Sequence, residues 1–168
     1  MSESLFKQKI INELSSDFDF ISEVKGKHFS GKTFRIDHII IPKDKTQWKN
    51  KTIAFGIEYK DVGRLGESTT KFTGWLGQSV DYANTNWDGF GYLYILTCPG
   101  IRSTDFMQEV DKGFMLNRIM GEFGVGELKL LDNYGWSIVL KDIHRLWSQK
   151  NGVEQGKDWS LNRKFGSR

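Results

Sequence analysis

The stretch 34–60, FRIDHIIIPKDKTQWKNKTIAFGIEYK, constrains this chain most, because two apolar runs each carry an acid where an apolar side chain would be expected. The first run, Phe34 to Ile41, is β-friendly and alternates poorly, the pattern of a strand buried on both faces, and its one acid is Asp37. The second runs from Thr52 to Lys60 and ends in Glu58, Tyr59 and Lys60. Side chains alternate along a strand, so Glu58 and Lys60 share one face and Tyr59 takes the other. Pro42, Lys43, Asp44, Lys45 and the polar residues to Lys51 supply a turn, which predicts that the two strands pair with Asp37 beside Glu58 and Lys60. Carboxylates within apolar strands are costly unless they are paired or bind a cation. Oxygen donors at a sheet edge suit a hard cation, Mg2+ or Mn2+, which polarises a phosphate and lowers the pKa of a bound water.

An acid on one strand, then acid, any residue and lysine on the next, resembles the pattern of the PD-(D/E)XK nuclease superfamily. By that resemblance Asp37, Glu58 and Lys60 are the catalytic residues. Asp37 and Glu58 would be metal ligands, the Tyr59 carbonyl would add an oxygen, and Lys60 would orient or activate the attacking water. The proline that usually precedes the first acid is Ile36 here. Glu-x-Lys also occurs at Glu23 to Lys25 and at Glu127 to Lys129, where the expectation is a solvated strand face or a weak surface ion pair. Only Glu58 combines an apolar approach with a preceding acid inside a second apolar strand.

Residues 3–15 read as a helix with Phe6, Ile10 and Leu14 on one stripe, flanked by Leu5 and Ile11. At about 100° per residue Glu13 falls about 20° from Phe6, inside the apolar arc. In the family a glutamate on the helix before the sheet often completes the metal site, and Glu13 is the matching residue. The alternative is an acid at the rim of the arc whose carboxylate reaches water. Phe18 to Phe29 is expected to form the first strand with Gly26 as a bend, and 61–70 a glycine-bearing loop bordering the site.

A second helix is predicted from about Thr70 to Asn84, its inner face made of Phe72, Trp75, Leu76, Val80 and Ala83, with Gln78 and Tyr82 stacked at i and i+4. Gln-x-x-x-Tyr directly after the Glu-x-Lys strand resembles the RecB-like branch of the superfamily, where the pair lies beside the active site and helps to hold it and the nucleic acid. Otherwise Tyr82 is an aromatic at the core edge with a wet hydroxyl. Phe90 to Thr97 is the strongest strand signal and is expected to be the fourth strand. Asp105 and Gln108 look like the start of a helix to about Met120, Glu127 to Leu140 a hairpin, and Asp142 the cap of a short helix with Ile143, Leu146 and Trp147 facing inward. Helix, three strands, helix and strand match the superfamily core over about 3–97. The expectation is therefore an α/β (α+β) fold: a restriction-endonuclease-like core whose mixed sheet is flanked by helices, with 98–150 an elaboration of the same domain.

From Lys141 onward seven basic residues face three acids, a net +4, so the rest of the chain sums to −1 and the positive charge is concentrated at the C-terminus. Residues 151–168 are expected to form a basic tail in which Trp159, Leu161 and Phe165 lie among Arg163, Lys164 and their neighbours. Such interleaving suits stacked bases and phosphates, or a tail pinned back on its own domain. Arg64 in the loop, and Lys71, Gln78 and Tyr82 on the second helix, are the other candidate nucleic-acid contacts.

One cysteine, Cys98, excludes an intrachain disulfide framework and a cysteine-rich zinc site. The start has no secretory leader pattern and no apolar run is long enough to span a bilayer, so a cytoplasmic protein without a membrane partner is expected. Ser-His-Asp and Cys-His hydrolases are not supported: the histidines are His28, His38 and His144, and no Gly-x-Ser-x-Gly elbow is present. No phosphate-cradling P-loop sequence implies ATP. His38, next to Asp37, points to the opposite strand face and reads as a core or second-layer residue. The reading is a Mg2+- or Mn2+-dependent nuclease acting on DNA in preference to RNA. Its alternative is a non-catalytic nucleic-acid-binding or assembly protein on the same fold, and the sequence leaves open whether either is a homo-oligomer.

Overall fold

The computed structural model describes residues 2–60, 69–100, 118–141 and 144–154. The chain opens with helix α1, Glu3–Leu14, whose N-terminus is capped by the Ser2 hydroxyl accepting the Leu5 N–H at 3.3 Å. Ile10 and Leu14 of the predicted stripe are fully buried and Phe6 packs at its edge, while the flanking Leu5 faces solvent. Strands β1, Phe18–His28, and β2, Thr33–Pro42, follow as an antiparallel pair, then β3, Phe55–Tyr59. Helix α2, Thr69–Ala83, precedes a three-residue strand β4, Thr85–Trp87, and the fully buried β5, Tyr94–Cys98. The remaining strands are β6, Val125–Leu131; β7, Gly135–Leu140; β8, His144–Ser148; and β9, Gly152–Val153.

These strands make one mixed sheet in the order β4-β1-β2-β3-β5-β6-β7-β8-β9. β3, β5 and β6 run parallel, with Glu58 registered on Thr97 and Thr97 on Glu127; every other neighbouring pair is antiparallel. The parallel strands sit mid-sheet, which is why β3 and β5 are buried along their whole length rather than alternating. Two apolar clusters cover the sheet. One gathers Ile10 and Leu14 of α1 with Phe55, Ile57, Leu96 and Ile138; the other gathers Trp75, Tyr82 and Ala83 of α2 with Ile36, Ile39 and Ile95. Gly56 lets the second layer close: a Cβ there would lie 2.5 Å from Ile36 Cδ1 and 2.6 Å from Ile95 Cδ1. The fold is thus mixed α/β, as the sequence pattern predicts at that level.

Several local expectations are corrected. The short helix expected after Asp142 is strand β8, paired antiparallel with β7, and Leu146 and Trp147 are buried in it. Lys141 turns the chain with a φ of 55°, which folds it straight back along β7, and a bulge between Ile138 and Val139 accompanies the pairing. Gly26 is no bend. It lies within β1, paired with Phe34 on one side and Trp87 on the other, and β4 itself is not anticipated from the sequence. The predicted hairpin is observed as β6 and β7, with Asn133 at φ 67° in its turn. Residues 118–122 are helical, but the start assigned to Asp105 and Gln108, and the loop 61–68, lie outside the described residues.

Candidate metal-binding site on the central strands

β2 and β3 bring the predicted acids together because they pair antiparallel with His38 opposite Ile57, so the next step along places Asp37 beside Glu58. Glu58 is only 4% exposed, and its Oε1 lies 3.6 Å from the Lys60 Nζ, as the same-face geometry of a strand requires. Lys60 itself is fixed by its backbone N–H, which donates to the Cys98 carbonyl at 3.0 Å. Tyr59 points the other way into the apolar cluster under α1, where its hydroxyl and the His38 Nδ1 are 2.9 Å apart. His38 is therefore a buried second-layer residue. Burial lowers its pKa, nearby Asp37 pulls the other way, and burial raises that of Tyr59.

The electrostatics of Glu58 set this site apart. Burial pushes its carboxyl up to about 7; the Lys60 charge opposes that rise, Asp37 and Glu3 add to it, and Lys7 opposes it. Two residues of α1 thus belong to the site although sequence reasoning does not find them. The Lys7 Nζ is 2.7 Å from Asp37 Oδ2 and 3.0 Å from Glu3 Oε1, and it stands 5.6 Å from the centre of the Tyr59 ring. Burial works against the Lys7 charge, yet its bonds to Asp37 and Glu3 hold its pKa above the ordinary lysine value. The legible signal is the i, i+4 spacing of Glu3 and Lys7, which in sequence looks like any exposed helix pair.

Glu13 is not brought to this cluster. Its carboxylate accepts the Trp136 indole N–H and lies 3.9 Å from Lys9, and Gln149 donates to its backbone carbonyl. Gln78 and Tyr82 do reach the neighbourhood. Gln78 Nε2 donates to the Tyr82 hydroxyl at 2.8 Å, and that hydroxyl donates to the Arg35 carbonyl at 3.2 Å, two residues from Asp37. Tyr82 is buried rather than wet; burial raises its pKa, Gln78 opposes this, and the Glu58 and Asp37 charges add to it. Lys71 lies on α2 but its side chain, like all of Arg64, Arg163 and Lys164, is outside the described residues.

The rival Glu-x-Lys pairs separate on burial. Glu23 and Lys25 are exposed, but Glu127 on β6 is 3% exposed and 3.3 Å from Lys129, so it is no surface ion pair. The two differ in their strand partners: Glu127 is registered on Thr97 and Val139, whereas Glu58 lies beside Asp37. Among the described residues no three His, Cys, Asp or Glu side chains gather around a common point suited to a metal. Two carboxylates nonetheless fit one kind of ion. Mg2+ binds through one or two carboxylates and keeps several waters, and a positive ion would relieve the like-charge pressure that Glu58 feels. No family model matches the chain, and no curated protein or solved structure matches it either.

Proposed function

We propose that the chain is a divalent-metal-dependent nuclease that hydrolyses phosphodiester bonds, DNA in preference to RNA. The observation that carries this reading is Glu58: a carboxylate 4% exposed, beside the charge of Asp37 and 3.6 Å from the lysine two residues on. A protein that only binds a polyanion gains nothing from burying an acid such as Glu58 beside a second one. The order α1, β1, β2, β3, α2, then the buried β5, also supports a restriction-endonuclease-like core, with the three-residue β4 as an addition at the sheet edge.

In this reading Asp37, Glu58 and the Tyr59 carbonyl would hold Mg2+ or Mn2+. The ion would supply electrophilic pull on a phosphate oxygen. Lys60, steered by Glu58 and anchored at its backbone, would orient and activate the attacking water or neutralise charge on the phosphate. Gln78 and Tyr82 brace the β2 backbone through Arg35 and so keep Asp37 in place. Lys71, Arg64, Arg163 and Lys164 are assigned to backbone phosphates.

The test is cleavage and binding of duplex DNA with Mg2+ or Mn2+. Asp37→Ala and Glu58→Ala are expected to abolish metal-dependent cleavage and leave DNA binding largely intact. Lys60→Ala is expected to lower turnover by a larger factor than it weakens binding. Highly purified Asp37→Ala cleaving at the wild-type rate would overturn the assignment.

A further inference from the structure

The Asp37 carboxylate already has a cation on it. Lys7 reaches across from α1 and bridges Asp37 at 2.7 Å and Glu3 at 3.0 Å, with its ammonium beside the Tyr59 ring. We propose that Lys7 is the resident counter-ion of the Asp37–Glu58 site and that a divalent cation takes its place on Asp37; this rests on the metal-ion reading above.

Three features support an exchange rather than a permanent bond. Two cations on one carboxylate repel each other, so a metal on Asp37 and an ammonium at 2.7 Å from it compete. The Asp37 side chain is 44% exposed, so water can take up either partner and the pair is readily opened. Lys7 also keeps a partner when it leaves. Glu3 lies one helical turn back on the same face of α1, so the four-carbon stem can hold the ammonium there, close to the site but off Asp37. Lys60 is placed differently: it follows the last residue of β3, its ammonium lies 3.6 Å from Glu58 rather than on Asp37, and its backbone N–H donates to the Cys98 carbonyl.

Titration calorimetry of the full chain with Mn2+, without nucleic acid, tests this. Lys7→Met is expected to bind Mn2+ about two- to fivefold tighter than wild type, the scale of a partly exposed ion pair removed from the competition. Lys7→Arg should bind more weakly than wild type, since a guanidinium fork grips a carboxylate more firmly than an ammonium does. Lys9→Met, which removes the same charge from beside Glu13, should leave the affinity unchanged. Wild-type affinity or weaker in Lys7→Met overturns the exchange, as does equal tightening in Lys9→Met. Should Lys7→Met fail to fold in metal-free buffer, Lys7→Arg binding as tightly as wild type overturns it instead. Absence of Mn2+ binding by wild type and every variant is a different result: it removes the metal-ion reading itself and this inference with it.

Discussion

Glu58 makes the site sensitive to pH in the absence of any ion. Its pKa rises from an ordinary 4.5 to about 7 on folding, through burial first and the neighbouring Asp37 and Glu3 charges second. The native state therefore keeps a proton that the unfolded chain has already released, and stability falls as pH rises from 4.5 through about 7, then levels off. The loss is on the order of 3 kcal/mol across that window. Glu58→Gln, neutral and of the same shape, is expected to match wild type near pH 4 and to exceed it at pH 8. Denaturant midpoints in chelator-treated buffer measure this, and parallel pH curves for the two proteins would contradict it. Asp37, Glu58 and Lys60 are legible in sequence because an acid shows as a break in an apolar run, although of the two acids only Glu58 is buried and the Asp37 side chain is 44% exposed. Lys7 is not, since its importance comes from a bond to Asp37, 30 residues away in the chain and on another element, that no local pattern encodes. Glu13 shows the complementary limit: a helical wheel gives the direction of a side chain but not its height. Glu13 lies about 9 Å farther along the α1 axis than Lys7.

Among the elements, β1 illustrates how one missing side chain decides a pairing. A Cβ at Gly26 would lie 2.6 Å from Trp87 Cε3, 2.7 Å from Thr85 Cγ2 and 2.8 Å from the Asn86 carbonyl oxygen. The last of these is backbone and cannot swing aside, so β4 can lie against β1 only over a glycine. Gly26→Ala is expected to destabilise the protein by about 1–3 kcal/mol, the usual cost of overpacking. Thermal unfolding measures the loss, and the fluorescence of buried Trp87 should report β4 lifting away. A Gly26→Ala protein as stable as wild type, with unchanged fluorescence, would show that β4 contributes nothing. In sequence this glycine reads equally well as a bend, because a single residue does not announce what crosses it. The same ambiguity explains β8: in a five-residue stretch helix and strand periods are indistinguishable, and pairing with β7 decides the outcome. Long runs such as α1, β1 and β2 are legible because their patterns extend over ten residues or more.

On the scale of the whole molecule, the basic C-terminal segment offers a test independent of the chemistry. Gly152 and Val153 pair with β8, and Arg145 donates to Glu154, so 152–154 belong to the sheet rather than to a tail as the composition suggests. Removing 155–168 leaves that pairing intact and takes away Lys157, Arg163, Lys164 and Arg168 against the single acid Asp158. The truncated protein is expected to bind DNA more weakly. Its slope of log affinity against log salt should flatten by about one unit for each phosphate that the missing cations no longer neutralise. Equal slopes would mean that the phosphates are held elsewhere, by Arg64 and Lys71, since Gln78 donates to the Tyr82 hydroxyl and that hydroxyl is spent on the Arg35 carbonyl. The two ends of the sheet have a further bearing on the molecule in a crowded cell. Among the described residues each end is a stub, β4 with three residues and β9 with two. The Trp87 N–H and C=O both bond to Gly91, and the Val153 N–H is taken by the Gln47 side chain. At these two end strands a neighbouring molecule thus finds little open backbone on which to lay a strand, and among the described residues the stretch of edge left for such growth is the part of β1, Phe18 to Lys25, that runs past β4.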